Sequence, residues 1–172
     1  MWPFSRGRVA RQKAYIREAF GPFLSSALIE QLASRPGDLP LMPLENRKIV
    51  FALLQIRDDD PAALAERLGR AVDVAAEAQG MVDIMAPFVA VIFGVPLTDE
   101  PGKLRSLRQR MIENLLNNCG RDIRIVYGEA DGLAGNLGSE RRFTYSAAIP
   151  RLGAAFQRLM TLEFGLASEV AL

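Results

Sequence analysis

Carboxylates are the side chains of this chain that could carry chemistry. Its 172 residues include 20 Asp and Glu, a single Cys at position 119 and no His. Without His, the chain cannot build Ser-His-Asp or Cys-His catalysis or a two-His metal site. With one Cys and no His it cannot form an internal disulfide or the usual zinc site. The run Asp58-Asp59-Asp60 before Pro61 could be a cation-binding loop, but a helix N-cap beside two solvated carboxylates explains it with fewer assumptions.

Two groups of basic residues could meet a charged partner. Lys103, Arg105, Arg108 and Arg110 could contact nucleic acid, but acidic residues nearby and the absence of interleaved aromatics favour a solvated helix face. The first thirteen residues combine Arg and Lys with Trp2 and Phe4, so contact with a membrane surface is a possible alternative to a disordered terminus. We therefore expect no nucleic-acid partner, no metal and no cofactor.

Composition describes a globular protein of one domain with a terminal arm. Hydrophobic residues make up 49% of the chain and charged residues 24%, which excludes a disordered chain. The formal net charge of +1 excludes a strong overall electrostatic field. No apolar run approaches the roughly 18 to 20 residues of a membrane span, and the first residues lack the apolar stretch of a signal peptide. We expect a cytoplasmic protein.

The order of apolar segments predicts an α+β fold. A near-continuous apolar run at 48–56 predicts a buried strand, 61–80 a helix, 81–84 and 88–93 a hairpin, and 102–118 a second helix. Two more strands are predicted at 122–127 and 133–137, with Gly132, Gly135 and Gly138 allowing a tight hairpin. A short extended piece at 145–148 and a third helix at 151–162 follow. The order β-α-β-β-α-β predicts a ferredoxin-like, split-βαβ antiparallel sheet covered by helices on one face.

An amphipathic helical arm precedes this domain. Its apolar residues recur at helical spacing across a break at Gly21-Pro22. This apolar stripe must be buried, either within the monomer or against the equivalent arm of a partner. We assign it to a dimer or partner interface. The stripe consists of Ile16, Phe20, Phe23, Leu28 and Leu32. Residues 1–43 are predicted to form the arm and a Pro-rich linker, and residues 44–172 the domain.

Two segments carry a resemblance to a known family. The segment Gly135-Asn-Leu-Gly-Ser-Glu-Arg-Arg-Phe-Thr-Tyr145, with the strand and Gly128-Glu129 before it, resembles the corresponding region of class III adenylate/guanylate cyclase catalytic domains. The hairpin that ends in Ala90-Val-Ile-Phe-Gly-Val-Pro96 is similar to the hairpin of the same family. The resemblance implies a cyclase-type α+β domain that pairs head to tail with a second domain.

The residues that carry catalysis in that family are replaced here. By resemblance, the two metal-binding aspartates fall at Gln55 and Pro87, and neither residue has a carboxylate. The two base-selecting positions fall at Asp83 and Pro150. The ribose-orienting asparagine falls at Gly153 and the arginine that stabilises the transition state falls at Gln157. The chain is also shorter than the family between Gln55 and Pro87 by about one helix, and is expected to end before the family's last strands.

These departures predict a protein that is not an enzyme. The resemblance implies a degenerate cyclase-homology domain that forms a homodimer, or a heterodimer with another cyclase-type domain, and acts as a regulatory module in bacterial-type signalling. The alternative is a sensor domain that binds a nucleotide or another small molecule without turnover.

Overall fold

The computed structural model describes residues 14–18, 20–21, 24–34, 44–96, 99–136 and 145–172. Its strands are β1 (Glu45–Ile56), β2 (Met81–Met85), β3 (Phe88–Phe93), β4 (Ile123–Asn136), β5 (Tyr145–Ala148) and β6 (Ala167–Ala171). Its helices are α1 (Ser26–Ser34), α2 (Pro61–Glu77), α3 (Pro101–Cys119) and α4 (Leu152–Thr161). Residues 14–18 and 20 are also helical.

The six strands form one curled, mainly antiparallel sheet with β1 at its centre. The strand order is β2-β3-β1-β4-β5, and β6 pairs with β4 in parallel. β1 pairs with β4 along its whole length and with β3 over residues 50–55. The order β2-β3-β1-β4, with one helix after β1 and another after β3, is the split-βαβ arrangement. The predicted ferredoxin-like α+β fold is confirmed.

The strand after α3 differs from the prediction, because β4 is one continuous strand where two were expected. The glycines of this segment were predicted to form a hairpin between two strands. In the structure, they instead allow the backbones of neighbouring strands to come close to β4. A Cβ on Gly128 would lie 2.5 Å from the carbonyl oxygen of Val170 in β6, and a Cβ on Gly132 would lie 2.6 Å from that of Ala148 in β5. The predicted tight hairpin is therefore wrong for Gly132 and Gly135, which lie within β4, and Gly138 lies outside the described residues. β6, which follows the third predicted helix, is a strand that the sequence interpretation did not predict.

Helices cover both faces of the sheet, whereas one covered face was predicted. On the first face, α2 and α3 pack over alternate residues of β1 such as Val50, Ala52 and Leu54. On the second face, α4 packs against Phe51 and Leu53 through Ala155 and Leu159. The apolar run of β1 requires both layers, because consecutive residues of a strand point to opposite faces.

The N-terminal arm covers another part of the second face. The four stripe residues that the structure describes are buried: Ile16 is 0% exposed, Phe20 1%, Leu28 5% and Leu32 1%. They pack in one cluster with sheet residues such as Ile49, Met81 and Ile92 of the same chain. These four residues are therefore part of this chain's own core, which corrects their assignment to a partner interface. Phe23 and most of the linker lie outside the described residues.

Within the described part of the chain, none of the helices combines the length and the apolar character that a membrane crossing requires.

Candidate functional site

The second face of the sheet, at the end where β1 finishes, contains the two positions at which the resemblance places the family's metal-binding aspartates. Gln55 is the penultimate residue of β1 and is half-buried. Pro87 lies in the turn between β2 and β3. Its carbonyl oxygen accepts a hydrogen bond of 3.1 Å from the amide of Ile56. The structure thus brings Gln55 and Pro87 to the same end of the sheet.

The other four predicted positions are exposed. Asp83 lies in edge strand β2 opposite Ala90, two residues along the strands from the level of Gln55. Pro150 lies in the turn before α4, while Gly153 and Gln157 lie one turn apart on the solvent side of α4. A Cβ at Gly153 would meet open space. The structure shows no hydrogen bond or ion pair that joins these four residues to Gln55.

Arg124 completes the site, and the sequence interpretation missed it. Residue 124 of β4 lies directly opposite Gln55. Its Nε and one terminal nitrogen both donate to the Oε1 of Gln55, at 2.8 and 2.5 Å. The other terminal nitrogen donates to the carbonyl oxygens of Met160 and Leu162 at 3.0 and 2.8 Å. The signal that could have identified it is a charged residue between Ile123 and Ile125, in the otherwise apolar stretch 123–126 at the start of β4.

Burial and a second cation affect the charge of Arg124. The residue is only 8% exposed. Its guanidinium lies 4.5 Å from the centre of the Phe164 ring, and that of Arg57 lies 4.4 Å from the same centre. Removal from water, followed by the charge of Arg57, lowers the pKa of Arg124. Arginine nevertheless stays protonated in proteins, so this end of the sheet carries a fixed positive charge.

The residues present do not fit a metal ion. Metal sites of this kind use carboxylate oxygens, but Gln55 has none and its one acceptor oxygen receives two hydrogen bonds from a cation. The side chain of Pro87 has no ligand atom. Among the described residues, no group of three Cys, Asp or Glu is arranged to hold a metal. The structure therefore supplies neither the ligands nor the charge that a divalent cation needs at Gln55.

The triple-aspartate run has a structural role on the first face. Asp60 caps α2, because its carboxylate accepts from the amides of Ala62 and Ala63. Asp58 pairs with Nε of Arg67 at 2.8 Å, and a terminal nitrogen of the same arginine pairs with Asp122 at 2.6 Å. These contacts agree with capping rather than with a cation-binding loop.

Of the four basic residues of α3, Lys103, Arg105 and Arg110 are exposed as predicted, whereas Arg108 is buried. Lys103 pairs with Asp99, and Arg105 pairs with Glu129 at 3.2 Å. Arg108 is 4% exposed, donates to the carbonyl oxygen of Gly128 at 3.0 Å and lies over the ring of Tyr127. Burial lowers its pKa. The solvated-face interpretation is therefore wrong for Arg108.

An apolar strip borders the Gln55 end of the sheet and was also missed. Met85 lies opposite Phe88 in the β2-β3 hairpin, and Phe88 contacts the ring of Phe156 with ring centres 6.1 Å apart. Met160 follows Phe156 by one turn of α4, and its sulfur lies 3.7 Å from Arg124. Met85 is 66% exposed and Met160 53%. We call Met85, Phe88, Phe156 and Met160 the hairpin strip. Large exposed apolar side chains in one continuous strip are typical of interaction surfaces.

Solved structures of nucleotidyl cyclases share this fold. No protein-family model and no curated protein sequence matches the chain. The adenylyl cyclase CyaB from P. aeruginosa matches with 18% identity and a TM-score of 0.57, covering 73% of this chain and 78% of its own. The guanylyl cyclase domain of the RhoGC fusion protein from the aquatic fungus Blastocladiella emersonii matches with 11% identity and a TM-score of 0.59, covering 74% and 81%. The chain thus has the fold of class III adenylyl/guanylyl cyclase catalytic domains.

A third match extends into the arm. A bacterial light-regulated adenylyl cyclase is 12% identical with a TM-score of 0.57, and the match covers 91% of this chain and 50% of the other. Residues 44–172 make up about three quarters of the chain, so this match must include part of the segment before residue 44. This chain spans about half the length of that cyclase.

Proposed function

We propose that this chain is a catalytically inactive cyclase-fold domain that acts as a dimerising, regulatory module. The observation that carries the proposal is the contact between Gln55 and Arg124. The metal-dependent chemistry of a cyclase needs carboxylates that hold cations against the triphosphate. Here the corresponding end of the sheet presents an amide bound to a buried guanidinium.

The hairpin strip supports an interaction role. Its two methionines are more than half exposed, and methionine adapts readily to the shape of a partner surface. The occupant that we propose is a second cyclase-type domain, either another copy of this chain or a different one. The Blastocladiella emersonii domain of the same fold is dimeric. The four described residues of the arm's apolar stripe are unavailable for this purpose, because they are buried in the core of the same chain.

Activity and assembly can be tested on the same preparation of the full chain. We expect no cyclic nucleotide from ATP or GTP with Mn²⁺, and light scattering should show a dimer. Met85→Asp and Met160→Asp should shift the dimer to monomer, because each places a charge in an apolar contact. Leu44→Asp is the matched control, since Leu44 is 48% exposed and precedes the opposite end of β1.

Three results would contradict the proposal. Metal-dependent production of a cyclic nucleotide would show an active enzyme. The dimerising role would be refuted if the wild-type chain were monomeric at every concentration and had no affinity for a cyclase-type domain. Equal loss of the dimer in Leu44→Asp would show that the hairpin strip is not the specific contact.

The second candidate function is a sensor that binds a nucleotide or another anionic small molecule without turnover. The positive charge of Arg57 and Arg124 around Phe164 favours it, because such an arrangement attracts phosphate groups. Titration with ATP and GTP, with and without Mn²⁺, tests it. Saturable binding that weakens in Arg57→Gln would support the sensor, and no saturable binding would exclude it for these nucleotides.

A further inference from the structure

Arg124 is a buried cation that has only neutral partners among the described residues. Its donors reach the amide oxygen of Gln55, two backbone carbonyls and the sulfur of Met160. The charged side chain that acts on it is another arginine, Arg57, whose guanidinium lies over the same Phe164 ring. A buried charge without a counter-ion is unusual, because burial in a low-dielectric interior is costly unless the charge is paired.

Gln55 has no lone pair left for another cation. Its amide oxygen has two lone pairs, and two N–H groups of Arg124 donate to it. The amide nitrogen of the same side chain is a donor and cannot bind a metal ion. Any divalent cation placed at this oxygen would also meet the guanidinium at close range, where the repulsion between like charges is strong.

We propose that the Arg124 guanidinium is the resident cation at the Gln55 end of the sheet, and that it excludes divalent metal ions there even when a carboxylate stands at position 55. A carboxylate at that position would pair with Arg124, because a guanidinium and a carboxylate form two parallel charge-assisted hydrogen bonds. The oxygen atoms of such a pair would be occupied in the same way as the oxygen of Gln55. The inference rests on the proposed loss of metal-dependent catalysis, for which it supplies a physical cause.

Two substitutions at one position test the inference. Gln55→Glu keeps the size of the side chain and adds the missing negative charge, whereas Gln55→Leu keeps an apolar stem and removes the acceptor. At equal protein concentration, we expect Gln55→Glu to raise Tm by about 2 to 4 °C and Gln55→Leu to lower it by a similar amount. Titration of all three proteins with Mn²⁺ should show no saturable binding, and Mn²⁺ should leave their Tm unchanged.

A pH series separates pairing with Arg124 from other causes of stabilisation. A carboxylate paired with a guanidinium has a folded-state pKa below its unfolded value of about 4.3. The gain in Gln55→Glu should therefore be complete above that unfolded value and disappear as the pH falls through the folded pKa. Gln55→Leu should differ from wild type by the same amount throughout this range.

The outcomes separate this inference from the proposed function. The proposal that Arg124 is the resident cation would be overturned by saturable Mn²⁺ binding to the Gln55→Glu protein. It would also be overturned if the Tm of Gln55→Glu were no higher than that of Gln55→Leu. A wild-type chain that binds Mn²⁺ at a site lost in Gln55→Leu would overturn it as well. A monomeric protein in which Gln55→Glu is stabilised and metal-free would refute the dimerising role alone.

Discussion

At the scale of residues, charged side chains at the Gln55 end of the sheet and at the start of α2 hold elements of the fold together. Arg124 joins β1 to the end of α4, through Gln55 on one side and the carbonyl oxygens of Met160 and Leu162 on the other. Asp60 closes the first turn of α2. These contacts therefore stabilise the end of β1, the end of α4 and the start of α2.

The N-cap of α2 gives a test at this scale. Asp60→Ala should lower the free energy of unfolding by about 1 kcal/mol, because two amides of the first turn lose their acceptor. Asp59→Ala is the matched control and should stay within about 0.5 kcal/mol of wild type, since Asp59 is exposed and makes no hydrogen bond or ion pair in the described structure. Urea denaturation measures both. Equal effects of the two substitutions would show that the whole run acts together, as a cation-binding loop would require.

At the scale of elements, glycines occur in two kinds of environment that the sequence does not distinguish. In β4, Gly128 and Gly132 stand where β6 and β5 approach so closely that a side chain would collide with a backbone oxygen. Gly69 lies in the middle of α2, is exposed, and has open space where a Cβ would be placed. The first kind of glycine is required by packing, while the second only weakens its helix.

Alanine substitution should separate the two kinds. Gly69→Ala should stabilise the protein by about 0.5 to 1 kcal/mol, because alanine favours the helix and restricts the unfolded chain. Gly132→Ala should destabilise it, because the new Cβ would lie 2.6 Å from both the carbonyl oxygen of Ala148 and the Cδ1 of Ile49. Thermal unfolding measures whether each substitution raises or lowers the stability. Stabilisation by Gly132→Ala would mean that β4 and β5 are not packed as described.

At the scale of the whole molecule, the arm and the sheet share one hydrophobic cluster. Ile16 and Phe20 are fully buried with Ile49 of β1 and Ile92 of β3. Arg17 also pairs with Glu30 of α1, which joins the two helical parts of the arm. Since the arm is part of the core, its loss should weaken the fold of the domain itself.

Phe20 provides the test at this scale. Phe20→Ala should cost about 3 to 5 kcal/mol of unfolding free energy, as expected for a large side chain removed from a core. Glu18→Ala, on the exposed side of the same helical segment, should have almost no effect. Chemical denaturation and light scattering should be run together. If Phe20→Ala dissociated the protein without lowering its stability, Phe20 would belong to a partner interface rather than to the core of its own chain.

Much of the fold was predictable from the sequence because it depends on local properties. The near-continuous apolar run of β1 indicated a central buried strand, and Asp60-Pro61 indicated the start of α2. The order of the elements then left the split-βαβ sheet as the natural arrangement. Gln55 and Pro87, at which the resemblance places the family's metal-binding aspartates, lie at the same end of this sheet.

Residue types and short-range periodicity were enough to predict the core order β-α-β-β-α-β and to exclude His and paired Cys chemistry. The packed structure was needed to find which side chain meets Gln55, because Arg124 lies 69 positions away and reaches it through the register of β1 and β4. It also decided that β4 is continuous and that the arm lies on its own sheet. Both depend on how distant surfaces pack, since an apolar stripe is equally suited to its own core or to a partner and only the packed chain selects between them.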